Sequence, residues 1–164
     1  MDQGLAAVIG ALVGAIAAGG GAYVTARSAV TLNKRQARRE AYRSFLREGN
    51  EIARKMQELL PRDFTAQSRT NALALRAPLA ELATMEHALQ RSFTDVELLG
   101  TGDIAHQAVE VVLGISSLRR SFEAWQSIPE GVRISEEEVY KSFKNLEKLQ
   151  DGLMWFSDFA RKQV

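Results

Sequence analysis

Asp103-Ile104-Ala105-His106, with Glu110 one turn further on, places two carboxylates and an imidazole at helical spacing, a pattern that can ligate a divalent metal. A di-iron bundle, however, requires a carboxylate from each of two helices and a Glu-x-x-His pair from each of the other two. The chain has two histidines, His87 and His106, and no acid stands three residues before His87. The ligand set is therefore short, and Asp103 is better read as the cap of a helix. Cysteine is absent, which removes disulfides, thiol catalysis and thiolate-bound metals. No nucleophile elbow, phosphate loop or dinucleotide fingerprint occurs, and Gly100-Thr101-Gly102 reads as a turn. No catalytic, cofactor-binding or metal-binding residue emerges, and no cofactor is implied.

A second polar candidate is Glu86, which falls between Leu82 and Leu89 where an apolar residue is due. A buried carboxylate needs a partner or a proton. Arg119, beside a later apolar stripe, can supply the partner. In the alternative arrangement Met85 turns into the gap and Glu86 stays wet at the edge. Near the C-terminal end, Leu153, Phe156 and Ala160 mark an inward face, which leaves Trp155 and Phe159 on the outer side. Two large aromatics one turn apart suit a protein partner, although another helix or a membrane surface would cover them equally well.

The segments that carry these residues divide sharply. Leu5 to Thr25 contains no charge, and at about 1.5 Å per residue such a helix spans roughly 30 Å, one hydrocarbon core. Arg27, Lys34, Arg35, Arg38 and Arg39 follow closely. By the positive-inside rule this predicts a single-pass anchor with its N-terminus outside and the rest cytoplasmic. A cleavable signal peptide would need a basic start, which Met1-Asp2-Gln3-Gly4 lacks. Within the stretch, Ala6, Gly10, Gly14, Ala18 and Ala22 recur every fourth residue, while Leu5, Val8, Ile9, Leu12 and Val13 lie elsewhere. Such a small-residue ladder lets two membrane helices approach closely, so the anchor is expected to self-associate.

Overall charge is near neutral, but residues 26–55 carry nine Lys/Arg against three Glu, and residues 56–164 carry twelve against sixteen acids. A basic neck beside an anchor suits anionic lipid headgroups. Nucleic acid is the poorer reading, because Tyr42 and Phe45 among those charges sit at core spacing.

Beyond the neck, four apolar repeats of helical period appear. They run Tyr42, Phe45, Gly49, Ile52, Met56, Leu59; then Ala72, Leu75, Leu79, Leu82, Leu89, Phe93; then Ile104 through Trp125; then Val139, Phe143, Leu146, Leu149, Leu153, Phe156, Ala160. Pro61, Gly100 to Gly102 and Pro129 with Gly131 separate them. Ser135 and Glu138 form a capping-box signature before the last. The expected fold is all-α: a transmembrane helix (1–25), a basic neck (26–40) and a four-helix up-down bundle (41–164). Pro78 predicts a kink or broken turn near Ala77. The first helix is expected to continue from the anchor through the basic neck, with Gly19 to Gly21 and Asn33 as places where it could hinge.

Arg38-Arg39-Glu40-Ala41-Tyr42 with Phe45-Leu46, and Asp95 to Gly100 leading into Ile104 to Ala108, resemble a recurring group of small actinobacterial single-pass membrane proteins. In that group the turn is usually Gly-Pro, where this chain has Gly-Thr-Gly. The resemblance implies an anchor, a neck and a helical cytoplasmic domain, and carries over no functional residue. Together these features lead to a membrane-tethered, homo-oligomeric interaction module with an unknown cytoplasmic protein partner. The competing expectation is a holin-like or toxin protein that perturbs membranes through the same ladder, and an enzyme ranks third.

Overall fold

The computed structural model describes the backbone of residues 3–60, 72–129, 132 and 134–163, and the side chains among these from residue 29 to 60 and from residue 75 onward. Four helices make up the described chain: α1 (Gln3–Leu59), α2 (Ala72–Leu99), α3 (Gly102–Gln126) and α4 (Glu136–Lys162). The molecule divides into two units, Met1–Ala37 and Arg38–Val164.

In the first unit the backbone is helical from Gln3 and continues through the neck, as expected, without a break at either possible hinge, Gly19 to Gly21 or Asn33. Residues 29–36 are exposed, including Val30 and Leu32. No helix among the described residues is long and apolar enough to cross a membrane. The side chains of the expected anchor, Leu5 to Thr25, lie outside the described residues.

The second unit begins at Arg38, slightly before the expected boundary at residue 41. Contacts from α1 run in antiparallel order along α2: Arg38 meets Leu99, Glu48 meets Ser92, and Lys55 meets Glu81. The far side of α1 meets α4, where Phe45 lies 4.8 Å from Phe156 between ring centroids and Tyr42 stands edge-on to Phe156 at 5.9 Å. A Cβ placed at Gly49 would fall 2.6 Å from Leu153 Cδ2, so only glycine permits this approach of α1 to α4 without displacing Leu153. The helices α2 and α3, and α3 and α4, also pack side by side. Each helix thus has two neighbours, the arrangement of an up-down bundle.

Burial follows the apolar repeats. All seven expected residues of α3, from Ile104 to Trp125, are buried. In α4 the repeat holds except at Phe143, which is partly buried, while Ser142 takes the fully buried place. Ser142 fits because its hydroxyl donates to the Glu138 carbonyl at 3.0 Å, which satisfies it within its own helix. In α2 the core takes in Ser92 and Val96, and Phe93 sits at its margin. Of the two expectations at Pro78, a kink or a broken turn, the broken turn is absent, since α2 is helical through it. Only the Ala74 carbonyl loses its intrahelical donor there, and Leu79 and Leu82 dock into the core immediately beyond.

The start of α4 is closed by a side-chain cap. Ser135 Oγ accepts from the Glu138 N–H at 3.2 Å, and Glu136, Glu137 and Glu138 face the positive end of the α4 dipole. Replacing Ser135 by alanine is expected to cost about 1 kcal/mol, while glycine costs only a few tenths. Thermal unfolding followed by circular dichroism should show roughly a 4 °C drop for the alanine variant; equal losses for alanine and glycine would mean that the cap is not what matters. At α3 the N-cap position is held by Thr101, not Asp103, and its hydroxyl makes no capping hydrogen bond: Gly102 is the first helical residue and Asp103 belongs to the first turn. The turn is two residues tighter than expected because Gly100 closes α2 with an N–H to the Val96 carbonyl at 2.7 Å. A Cβ at Gly100 would lie 2.5 Å from that same carbonyl oxygen.

Candidate interaction surfaces

The residues with metal-ligand spacing do not converge. Asp103, His106, Glu110 and His87 are exposed, with the last on a different helix. No group of three possible ligands is present among the described residues.

Glu86 and Arg119 do meet. Arg119 Nε lies 3.3 Å from Glu86 Oε2, and Arg119 Nη1 lies 3.4 Å from Glu123 Oε1. One guanidinium therefore serves two carboxylates, Glu86 across the α2–α3 seam and Glu123 on its own helix. The geometry is incomplete as hydrogen bonding: Glu86 Oε1 and Arg119 Nε are both buried without a hydrogen-bond partner. Burial pushes the Glu86 carboxyl above its ordinary value of 4.5, Arg119 draws it back, and the Glu123 charge raises it further. Met85 is also partly buried, so it shares the position between Leu82 and Leu89 with Glu86, and neither is fully buried.

A second polar seam, between α1 and α2, has no sequence expectation behind it. Ser92 Oγ donates to Glu48 Oε2 at 2.5 Å and Ser44 Oγ donates to Glu48 Oε1 at 3.0 Å. Glu48 is one residue off the Phe45–Gly49–Ile52 stripe, and a Ser92 beside Phe93 reads as ordinary helix surface. Only the facing of the two helices reveals the pair.

The basic neck divides in two. Lys34, Arg35 and Arg39 are exposed, whereas the Arg27 side chain lies outside the described residues. Arg38, expected at the headgroups, instead donates from Nε to the Leu99 carbonyl at 2.6 Å. It satisfies one of the orphan acceptors at the end of α2 and complements the negative end of that helix. Beside it the Tyr42 hydroxyl is buried without a hydrogen-bond partner, and burial raises its pKa against the lowering charge of Arg38.

Trp155 is 57% exposed, and Met154 beside it equally so. Phe159 departs from the expected outer pair: it is partly buried against the core, with Lys162 Nζ 5.8 Å from its ring centroid. At 100° per residue Phe159 lies only about 60° from the buried Phe156, on the flank of the helix, while Trp155 points further away. The exposed apolar patch is thus centred on Trp155 and Met154. No family model, curated protein or solved structure matches this chain. Its surfaces must therefore be read from their own chemistry.

Proposed function

We propose that the chain is a membrane-anchored, self-associating helical bundle that acts as an interaction module with no catalytic site. The feature that supports this most is the abrupt order of segments: an uncharged stretch with a four-residue ladder of small side chains, then a basic neck, then a bundle. On this reading Leu5 to Thr25 lies in the bilayer, Ala6, Gly10, Gly14, Ala18 and Ala22 pack between copies, and the bundle faces the cytoplasm. Trp155, with Met154, supplies the apolar anchor for a protein partner.

Gly10→Ile with Gly14→Ile is expected to reduce crosslinked oligomers of the full chain in membranes severalfold while leaving it membrane-bound. Trp155→Ala should leave unfolding unchanged within about 0.5 kcal/mol, because the side chain is mostly exposed. It should weaken partner contact. The reading fails if the mature product begins near Ala18, or if protease added outside intact cells removes the bundle. The same ladder also suits a membrane-perturbing protein; depolarisation on expression, relieved by the glycine substitutions, would select that function instead.

A further inference from the structure

Two grooves open along the seam where α4 lies against α1. One, of about 380 Å³, is lined by Arg39, Arg43 and Leu46 of α1 and by Ser157 and Arg161 of α4. The other, of about 310 Å³ and nearer the start of α4, lies between Gln57 of α1 and Tyr140, Phe143, Glu147 and Gln150 of α4. Met154, four residues past Gln150 and three before Ser157, continues the same stripe of α4 from one groove to the other. At about 1.5 Å per residue the stripe from Tyr140 to Arg161 is roughly 30 Å long. We propose that this seam is the docking groove for an amphipathic helix of a partner protein, one that carries carboxylates at one end. The proposal rests on the interaction-module reading above and names the class of partner.

The seams of the bundle differ in what spans them. Polar side chains cross from α1 to α2 at Arg38 with Leu99, Glu48 with Ser92 and Lys55 with Glu81, and from α2 to α3 at Glu86 with Arg119. The helices α1 and α4 meet through the rings of Tyr42 and Phe45 on Phe156, and through Leu153 against Gly49. Those contacts join the two helices at depth and leave a groove open on the outer side at each end. Apolar side chains stand along this outer side. Tyr140 and Met154 are 56% and 57% exposed, and Leu46 and Phe143 are only partly buried. A third helix laid in the seam covers such a row with its own residues i, i+3 or i+4, and i+7. Trp155 lies 100° further round α4, away from α1, so Met154 is the residue that serves this groove.

Charge sets the polarity of the occupant. The larger groove has three arginines and no acid in its lining, and Arg39, Arg43 and Arg161 are exposed. At the smaller one Lys144 is held by Glu147 at 2.7 Å, so that end is balanced. Guanidinium forks match carboxylates bidentately. A helix with Glu or Asp over the arginines and neutral residues over the other end fits this gradient. A second copy of the bundle does not supply it, because each of its helices spends its apolar stripe on its own core. A nucleic-acid strand would meet cations at one end of the seam and apolar groups along the rest.

The probe is a fluorescent helical peptide of about twenty residues, the length of the seam, with a leucine stripe and glutamates in one terminal turn. It is titrated with the full chain in mild detergent, against empty micelles, and read by anisotropy. Saturable binding is expected, about fivefold tighter than that of the same peptide with glutamine in place of glutamate. Arg43→Gln with Arg161→Gln should erase that difference, and Arg91→Gln on α2 should leave it unchanged. Met154→Glu should weaken both peptides about fivefold or more. A benzophenone at the glutamate end is expected to label residues 39–46 or 157–161, and one at the opposite end residues 140–150. No saturable binding, equal binding of the two peptides, or labelling outside these segments overturns the proposal. Undiminished affinity in the double arginine variant with native circular dichroism does the same. Binding lost in Trp155→Ala and kept in Met154→Glu moves the docking face to the other flank of α4, so the groove fails while the interaction-module reading stands. Copies that crosslink to one another through residues 140–150 without peptide assign a second copy as occupant and overturn the partner helix. A chain that stays soluble without detergent sinks the anchor alone, and the titration then runs in buffer with the same outcomes.

Discussion

Replacing Phe45 by alanine is expected to destabilise the bundle by about 3–5 kcal/mol, the range for removing a fully buried aromatic from a packed core. Phe45 is completely buried and touches two other helices through rings: Phe93 of α2 at 6.4 Å and Phe156 of α4 at 4.8 Å between centroids. The truncation removes both ring pairs and leaves a void against Tyr42, whose own partner is the same Phe156. Since a bundle of this size has a net stability of about 5–15 kcal/mol, the variant should be close to unfolding at ambient temperature. Urea unfolding of the full chain in mild detergent, followed by circular dichroism, measures the loss. A shift below about 1 kcal/mol would show that the three-helix ring contact is not holding the bundle. Phe45→Leu, which keeps most of the volume, should recover more than half of the loss.

The second large effect concerns the seam between α2 and α3. Arg119→Met is expected to cost about 1–2 kcal/mol at neutral pH, because it leaves Glu86 half-buried beside Glu123 with no cation between them. Glu86→Gln should be close to neutral or stabilising, since it removes a carboxylate whose pKa burial has already raised. The pH dependence separates the two. A carboxyl whose folded pKa exceeds its unfolded one binds its proton more readily in the native state. Its contribution to stability is therefore fully present below the unfolded value, near 4.5, and is lost as pH rises through the higher folded value. In Arg119→Met the counteracting cation is gone, so that loss becomes larger and extends to higher pH. Glu86→Gln should flatten it. Unfolding curves between pH 4 and 8 decide the matter: a variant pair with identical pH profiles would mean that Glu86 is solvated in the folded protein.

Much of the bundle was legible because apolar spacing reports burial directly. In α3 the whole stripe from Ile104 to Trp125 is buried as its spacing predicts. The departures have physical causes that linear text does not carry. Ser92 and Ser142 enter the core because each hydroxyl finds an acceptor, one across a helix seam and one within its own helix. Asp103 gave way to Thr101 at the N-cap position because a close contact at Gly100 tightens the turn. Phe159 belongs to a flank, a distinction of tens of degrees that a simple inside-or-outside reading does not resolve. Arg38 looks like one more basic residue of the neck, and only the folded turn supplies the Leu99 carbonyl that claims it. A groove between α1 and α4, lined by Tyr42, Arg43, Ala160 and Arg161 among others, is the clearest case. Arg43 and Arg161 are far apart in sequence and line the same groove only because α1 lies against α4.

The pairing of Phe45 with Phe156 also bears on how the molecule is made. A ribosome releases α1 first, yet the ring that shields its aromatic stripe belongs to α4, the final helix of the bundle. Until α4 emerges, then, Tyr42 and the side of Phe45 turned away from α2 stand uncovered on the nascent polypeptide, an adhesive surface of the kind chaperones bind and crowded chains stick to. A stop codon or proteolytic nick anywhere before Phe156 would leave that exposure permanent, so truncated products should be insoluble or quickly degraded rather than partly active.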